Sequence, residues 1–338
     1  MKAVIFDAPS KVRMTDIQEP KMKPDEVLLK IHLIGLCGTD LNIYKGKMPL
    51  VSFPRIPGHE ISAEIIDKGN DVPDYIKTGN NVTVNPYTSC GKCSACRAGR
   101  FNTCRYNETM GVQRDGAMLQ YLSVPYQKIF QNNILSREEL ALVEPLSVGY
   151  HATNRGRIIE GETVLVLGCG MIGTGTALAA LRKKASVIVL DIDDKKLELM
   201  KSLGVHHTIN NASQDAMKTI HEITHGEGVN VCIEAIGAAA TYRLALDATG
   251  FAGRIVFIGY AHDDISLNTS LIVKKELDVM GSRNALDEFN DVINMLEEKK
   301  FDSKKLITSV YKMKNVNDAF QYWKDNPGDV IKIITEIE

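Results

Sequence analysis

No apolar run in the 338-residue sequence approaches the length that crosses a bilayer. No apolar segment with a cleavage site follows Met1 either, so neither a membrane span nor a secreted, disulfide-stapled fold is expected. An excess of charge of one sign is also missing. Forty Lys and Arg against 42 Asp and Glu leave a formal net charge of −2. With no basic face and no long like-charge block, the electrostatic footprint of a nucleic-acid or membrane-surface partner is excluded. Short mixed clusters such as 191–196 and 297–300 read as solvated helix ends, and no low-complexity tract or internal repeat stands out. Cysteine is scarce, at seven residues, yet four of the seven fall inside one short segment.

That segment spaces Cys90, Cys93, Cys96 and Cys104 as C-x2-C-x2-C-x7-C, with glycines in the turns between them. Four thiolates brought together this way form a closed tetrahedral S4 cage with no room for water or substrate, so the expected metal is a structural zinc. A disulfide framework would suit a short secreted chain, which this is not. The expectation is a metal-held loop in a reducing, cytoplasmic protein.

The chain is too long for one ordinary core, and its 44% hydrophobic and 24% charged residues are ordinary globular values, so two packed domains are expected. Up to about residue 150, short strand-like runs at 2–6, 27–34, 63–68, 81–85 and 118–124 are separated by Pro and Gly, which predicts a mainly β half. Beyond Tyr150, compact apolar runs at 163–167, 186–191, 229–235 and 254–258 alternate with segments long enough for crossover helices. That alternation predicts a parallel sheet covered on both faces, and the fold class is α/β. One of those segments, 194–203, reads as a helix closed by Gly204. From about Arg283 a helical stretch at 288–299 and strands near 309–312 and 330–334 predict a tail that returns to the first lobe.

Gly168-Cys169-Gly170-Met171-Ile172-Gly173 directly follows the 163–167 strand and opens a helix. In that context Gly168 permits the tight turn, Gly170 lets a pyrophosphate approach the backbone, and Gly173 allows helix-to-strand packing, with the phosphates at the helix N-terminus. Asp191 ends the next strand, where a carboxylate accepts from a ribose 2′-hydroxyl and repels a 2′-phosphate; Ile192 follows it rather than Arg, so NAD is expected over NADP. Lys196 is a candidate for the adenosine ribose or a solvated helix lysine. Ile258, which ends the fourth run of this half, and Gly259 just after it complete the candidate cofactor residues.

Cys37 in Gly35-Leu36-Cys37-Gly38-Thr39-Asp40, His59 and Glu60 in Pro57-Gly58-His59-Glu60, and Glu144 before Pro145 offer a second kind of donor set. A thiolate, an imidazole and a carboxylate leave a position open for water or an alcohol, as a catalytic zinc needs. Taken singly each is weak: a lone Cys is usually core, and a Glu before Pro is usually a loop charge.

Together with Glu144-Pro145-Leu146-Ser147-Val148-Gly149, these segments closely resemble the zinc-dependent medium-chain dehydrogenases over essentially the whole chain. The resemblance is to the polyol and sugar-acid branch that includes sorbitol dehydrogenase and L-galactonate/L-gulonate 5-dehydrogenases. It implies a GroES-like, mainly β catalytic domain over 1–148 and 283–338, and a Rossmann NAD-binding domain over 149–282. It also implies an active site in the cleft between them and a homodimer or homotetramer. It places the catalytic zinc on Cys37, His59 and Glu60, with Glu144 beside the metal as a direct or water-mediated ligand. Two zinc ions per subunit and NAD are the implied cofactors, and a polyol or sugar acid is the implied substrate, its secondary hydroxyl oxidised to a ketone with hydride passing to the nicotinamide. Thr39 falls where the family places the hydroxyl that relays the substrate proton. Asp40 is either the acceptor for the far nitrogen of His59 or a helix cap.

One departure concerns the proton relay: relatives often have a histidine three residues beyond this Thr, and here the residue is Asn42, which does not titrate near neutral pH. Arg283 falls where polyol dehydrogenases place an Arg against substrate hydroxyls; a guanidinium there could also pair with a sugar-acid carboxylate or form an inter-domain salt bridge. Tyr44, Phe53 and Gln113 read as pocket or packing residues. Cys169 and Cys232 read as packed thiols, His151 as packed, and His206, His207, His221, His225 and His262 as surface residues. The alternatives in function are oxidation of an amino alcohol as by L-threonine 3-dehydrogenase, which shares these motifs, and a catalytically idle NAD(H)-binding regulator.

Overall fold

A computed structural model describes residues 1–261 and 263–338; His262 lies outside the described residues. The described chain divides into two compact units, one of 1–144, 289–298 and 303–338, the other of 145–288 and 299–302.

The first unit is organised by the long strand Glu26–Leu36, whose β-branched and leucine-rich sequence suits a pleated, buried surface. Strand Glu60–Lys68 pairs antiparallel along one edge. The other edge is shared, Tyr121–Pro125 taking residues 26–30 and the C-terminal strand Lys332–Glu336 taking 33–36. The tail therefore does return to the first lobe, with Ile307–Lys312 parallel to the last strand. Strands Asn81–Val84 and Ile129–Gln131 complete a seven-stranded sheet, and Lys2–Ala8 pairs with Lys11–Asp16 in a separate ribbon. Phe6, Leu29, Ile31, Ile34, Ile61, Ile65, Phe320 and Ile333 are among its fully buried core residues, each worth about 1.5–3 kcal/mol of hydrophobic transfer.

The second unit is a six-stranded, wholly parallel sheet in the order His207–Asn210, Ser186–Asp191, Thr163–Leu167, Val229–Glu234, Thr249–Phe257, Asp278–Gly281. That is the doubly wound order in which ligands bind beyond the carboxyl ends of the strands. Helix Asp194–Ser202 follows the second strand of the unit, with Asp193 as its N-cap and Gly204 in the left-handed region just past its end. Cys232 sits in the apolar core of this unit, and Cys169 is buried. Among the described residues no helix is long and apolar enough to cross a membrane.

Candidate metal and cofactor sites

Cys37 follows the central strand and caps the short helix Gly38–Tyr44, an arrangement set by a reciprocal pair of hydrogen bonds. The amide of Thr39 donates to Cys37 Sγ at 3.4 Å, and the amide of Cys37 donates to Asp40 Oδ2 at 2.9 Å. The sulfur is thereby aimed before any metal is considered. Asp40 thus caps the helix, and its other oxygen faces His59 Nδ1 at 3.8 Å, longer than a hydrogen bond. Neither of those two atoms has a hydrogen-bond partner among the described residues.

Glu60 opens its strand directly across from Gly35. A Cβ at Gly35 would stand 2.0 Å from Glu60 Oε2, so only glycine leaves room for this carboxylate. Lys332, from the C-terminal strand, reaches the same group: its Nζ donates to Glu60 Oε1 at 2.6 Å, to Oε2 at 2.5 Å and to Leu36 O at 2.9 Å. The pair is almost fully buried, at 2% and 1% side-chain exposure.

Donor atoms of Cys37, His59 and Glu60 all lie within 4.8 Å of one another. Glu144 is not in that converging set; it belongs to helix Arg137–Arg155, with Pro145 inside the helix, rather than to a loop. Its Oε1 accepts from the hydroxyl of Tyr87, and both residues are buried. Burial raises the Glu144 carboxyl to about 7, with His59 opposing and Glu60 adding to the rise. Burial and then the Glu144 charge hold the Tyr87 phenol well above its ordinary value, so it stays a donor. Burial alone would lower His59, but Asp40 and Cys37 hold it well above the usual histidine range. A set of potential anions gathered around one imidazole suits a divalent cation, and the donors match zinc with a position left open.

The four cysteines also converge, with Sγ atoms within 4.8 Å of one another. Backbone amides donate to the sulfurs: Cys93 N to Cys90, and Cys90 N and Tyr106 N to Cys104, each at 3.3 Å. Amides of Cys96 and Arg105 bring the Cys93 thiol down to about 6, which favours the ligating thiolate. The set fits a closed S4 metal site.

In the second unit, Gly168 has φ +101° and Gly170 caps helix Met171–Arg182 from an extended conformation. A Cβ added at Gly170 would meet nothing within 4 Å, while one at Gly173 would stand 1.8 Å from Gly168 O. Space therefore lies where a pyrophosphate would approach, and contact lies where the helix packs. Asp191 stands beside this turn, Oδ2 accepting from Cys169 N at 2.7 Å and Oδ1 from Ile192 N at 2.8 Å and Asp193 N at 3.1 Å. The amides of Ile258 and Gly259 bond to Glu234 O, and Ala235 N to Leu167 O, drawing three strand ends to one rim. Met171 is buried, and the half-buried Lys196 donates its amide to Asp193. Residues Gly168 to Gly173, Asp191, Ile258 and Gly259 thus fit a dinucleotide.

Thr39 is half-buried beside Cys37; Arg283, also half-buried, follows strand Asp278–Gly281 in the second unit. Tyr44 stacks on Phe320 with its hydroxyl on Asn317, Phe53 packs on the core, and Gln113 accepts from Thr109 N, so these three serve packing and loop structure. His151 is buried against Glu288, whereas His206, His207, His221 and His225 are exposed. Sequence reasoning missed Lys332 and Tyr87. Lys332 left one signal, a lone charge in Val330-Ile331-Lys332-Ile333-Ile334; Tyr87 left none.

Residues 23–133 match the profile of the alcohol dehydrogenase GroES-like domain, and residues 172–298 that of zinc-binding dehydrogenases. Among curated proteins, sorbitol dehydrogenase of Bacillus subtilis is 33% identical, over 99% of this chain and 96% of its own. L-galactonate-5-dehydrogenase of Escherichia coli is 31% identical over 98% of both, and L-threonine 3-dehydrogenase of Pyrococcus abyssi 33% over 88% of both. Two solved structures carry different cofactors. An Escherichia coli CFT073 alcohol dehydrogenase (rspB) in complex with NADH superposes with a TM-score of 0.92, at 28% identity and 99% coverage of both chains. A zinc-binding dehydrogenase of Sinorhizobium meliloti bound to NADP gives 0.91, at 27% identity and 99% and 98% coverage. With whole-length relatives and both domain profiles in agreement, the chain belongs to the zinc-type, medium-chain alcohol dehydrogenases and is an oxidoreductase.

Proposed function

We propose that the chain is a zinc-requiring, NAD-dependent dehydrogenase that oxidises a secondary hydroxyl of a polyol or sugar acid, of the sorbitol or L-galactonate/L-gulonate class, to the ketone. The observation that carries this reading is the convergence of half-buried Cys37 with buried His59 and Glu60, a donor set open at one position. When bound, zinc supplies the Lewis acidity that lets an alcohol lose its proton near neutral pH, and NAD+ accepts the hydride.

The chain's own residues do the rest. Cys37, aimed by its capping bonds, and His59 hold the metal, and the charge of Asp40, 3.8 Å from His59 Nδ1, favours the tautomer that carries its proton on that nitrogen. Glu60 is the third donor, and Glu144 stands by as a direct or water-mediated ligand. Thr39 takes the substrate proton; Asn42 cannot carry it further, so water or another group completes the route. Gly168, Gly170, Met171, Ile172 and Gly173 receive the pyrophosphate, Asp191 and Lys196 the adenosine ribose, and Ile258 and Gly259 border the dinucleotide. The carboxylate of Asp191 favours NAD over NADP. Cys90, Cys93, Cys96 and Cys104 hold a second, structural zinc, which calls for a reducing, cytoplasmic location. Arg283 pairs with the substrate, bidentate where that substrate is a carboxylate. A homodimer or homotetramer is the proposed assembly.

Similarity to an L-threonine 3-dehydrogenase supports amino-alcohol oxidation as the second reading. Coupled rates with L-galactonate, L-gulonate, sorbitol and L-threonine, measured on zinc-loaded protein with NAD+, separate the readings. The highest kcat/KM is expected on a polyol or aldonate; L-threonine as the best substrate favours the second reading, and no NAD+ reduction with any of them favours an idle regulatory relative.

A further inference from the structure

We propose that Glu234 is a positioning residue that sets the two turns bordering the nicotinamide half of the dinucleotide, 235–238 and 258–260. This rests on the cofactor placement above. A doubly wound sheet of this order takes one nucleotide on each of its halves. With the adenosine ribose at Asp191 and the pyrophosphate at the Gly168–Gly173 turn, the second nucleotide falls to the half that holds strands Val229–Glu234 and Thr249–Phe257. The rim there consists of the turns that follow these two strands.

Glu234, fully buried at the end of its strand, organises both turns. Its Oε1 accepts from the amides of Ile236 at 2.9 Å and Gly237 at 2.8 Å and from the hydroxyl of Thr241 at 2.8 Å. Oε2 has no hydrogen-bond partner among the described residues, so the side chain's bonds all serve the first turn and the helix Ala239–Ala248 that follows it. The main chain of the same residue holds the second turn, Glu234 O accepting from Ile258 N at 2.8 Å and Gly259 N at 3.1 Å. The two turns then meet backbone to backbone. A Cβ at Gly259 would stand 2.2 Å from Gly237 N and 2.7 Å from Glu234 Oε2, and one at Gly237 2.4 Å from Tyr260 O. Tyr242, on the helix, donates its hydroxyl to Gly259 O at 2.7 Å. The second turn thus leans on the first, and the first on Oε1.

Without an acceptor at Oε1 the amides of Ile236 and Gly237 lose their partner, and a turn that includes a glycine at φ +85° relaxes. NADH must then reorder it, and affinity falls with the fraction of molecules that hold the ordered form. Glu234→Ala should weaken NADH binding roughly tenfold, the scale of one or two hydrogen bonds, and leave ADP, which lacks the nicotinamide half, within about twofold of wild type. Glu234→Gln keeps a carbonyl oxygen for the same donors and should bind NADH within about threefold of wild type. Should Glu234→Ala fail to fold, Thr241→Val removes only a hydroxyl, from Oε1 and from Ala238 O, and should weaken NADH roughly threefold with ADP unchanged.

The experiment is fluorescence titration with NADH and calorimetric titration with ADP on wild type and these variants, so that neither reading depends on turnover. Equal losses for NADH and ADP mean that Glu234 only supports the sheet and overturn the proposal. So do an NADH affinity unchanged in Glu234→Ala, or in Thr241→Val where that variant stands in, and a Glu234→Gln protein as weak as Glu234→Ala. Failure of the cofactor placement shows separately, as a wild-type protein that does not bind NADH or an Asp191→Ala variant that binds ADP as tightly as wild type.

Discussion

Lys332 and Glu60 form a buried, two-pronged ion pair across 272 positions of sequence, Nζ lying 2.6 and 2.5 Å from the two carboxylate oxygens. The ammonium stands where it neutralises the Glu60 carboxylate when no metal does. Lys332→Met should therefore destabilise the metal-free protein by about 3–5 kcal/mol, the scale for stranding a buried charge, and the zinc-loaded protein by clearly less. Thermal unfolding with and without chelator measures the difference. Equal losses in both states would mean that metal and lysine do not share the carboxylate.

Gly35 makes that pair possible. A methyl at Gly35 collides with Glu60 Oε2, whereas one at Gly38 meets nothing within 4 Å. Gly35→Ala should cost about 1–3 kcal/mol and weaken zinc binding at the open site, with Gly38→Ala near neutral. Chemical denaturation and zinc analysis of the two variants side by side check this; equal behaviour would contradict it.

Asp191, the proposed ribose acceptor, ties the glycine turn through Cys169 N. Asp191→Asn keeps an oxygen for that amide while removing the charge that repels a 2′-phosphate. It should lose some stability, since its NH2 cannot accept from Ile192 N and Asp193 N as the second carboxylate oxygen does, and should lower the NAD+ to NADP+ ratio of kcat/KM by about 1–3 kcal/mol, or roughly 5- to 150-fold. An unchanged ratio would show that Asp191 does not read the ribose.

Glu288 gathers His151 Nδ1 at 2.7 Å, Asn154 Nδ2 at 3.0 Å and the amides of Leu286 and Asp287. Burial pushes its carboxyl up, but these donors outweigh burial and hold it below the ordinary value of 4.5. A depressed carboxylate stabilises the fold above its unfolded pKa and loses that contribution as pH falls through the folded one. Glu288→Gln should thus be less stable by about 1–3 kcal/mol at pH 7, and the gap should close below pH 4.5. Denaturation midpoints from pH 3 to 7 read it; a gap that is constant with pH would contradict the assignment.

What could be read from sequence was what short spacing encodes. The four cysteines and the strand–glycine–helix turn are local, and each converges as its spacing requires because the ligands and glycines of one motif are joined by a few bonds. Cys37, His59 and Glu60 are farther apart, and resemblance rather than spacing brought them together. Glu60, placed outside the expected 63–68 strand, opens that strand, which extends to Glu60–Lys68. Glu144, open to reading as a loop charge before Pro145, lies inside a helix. Lys332 and Tyr87 escaped because their partners are set by sheet pairing and a loop staple hundreds or tens of residues away, where no periodicity reaches.

The central claim is that two separate donor sets hold two metals, one for the chemistry and one for the fold. Metal analysis of wild type and Cys37→Ser, with NADH binding and turnover recorded on the same samples, tests it most directly. The account predicts two zinc ions per wild-type subunit and one in Cys37→Ser, which should still bind NADH but turn over no alcohol. A Cys37→Ser protein that keeps both zincs, or that oxidises the substrate at the wild-type rate, would contradict it.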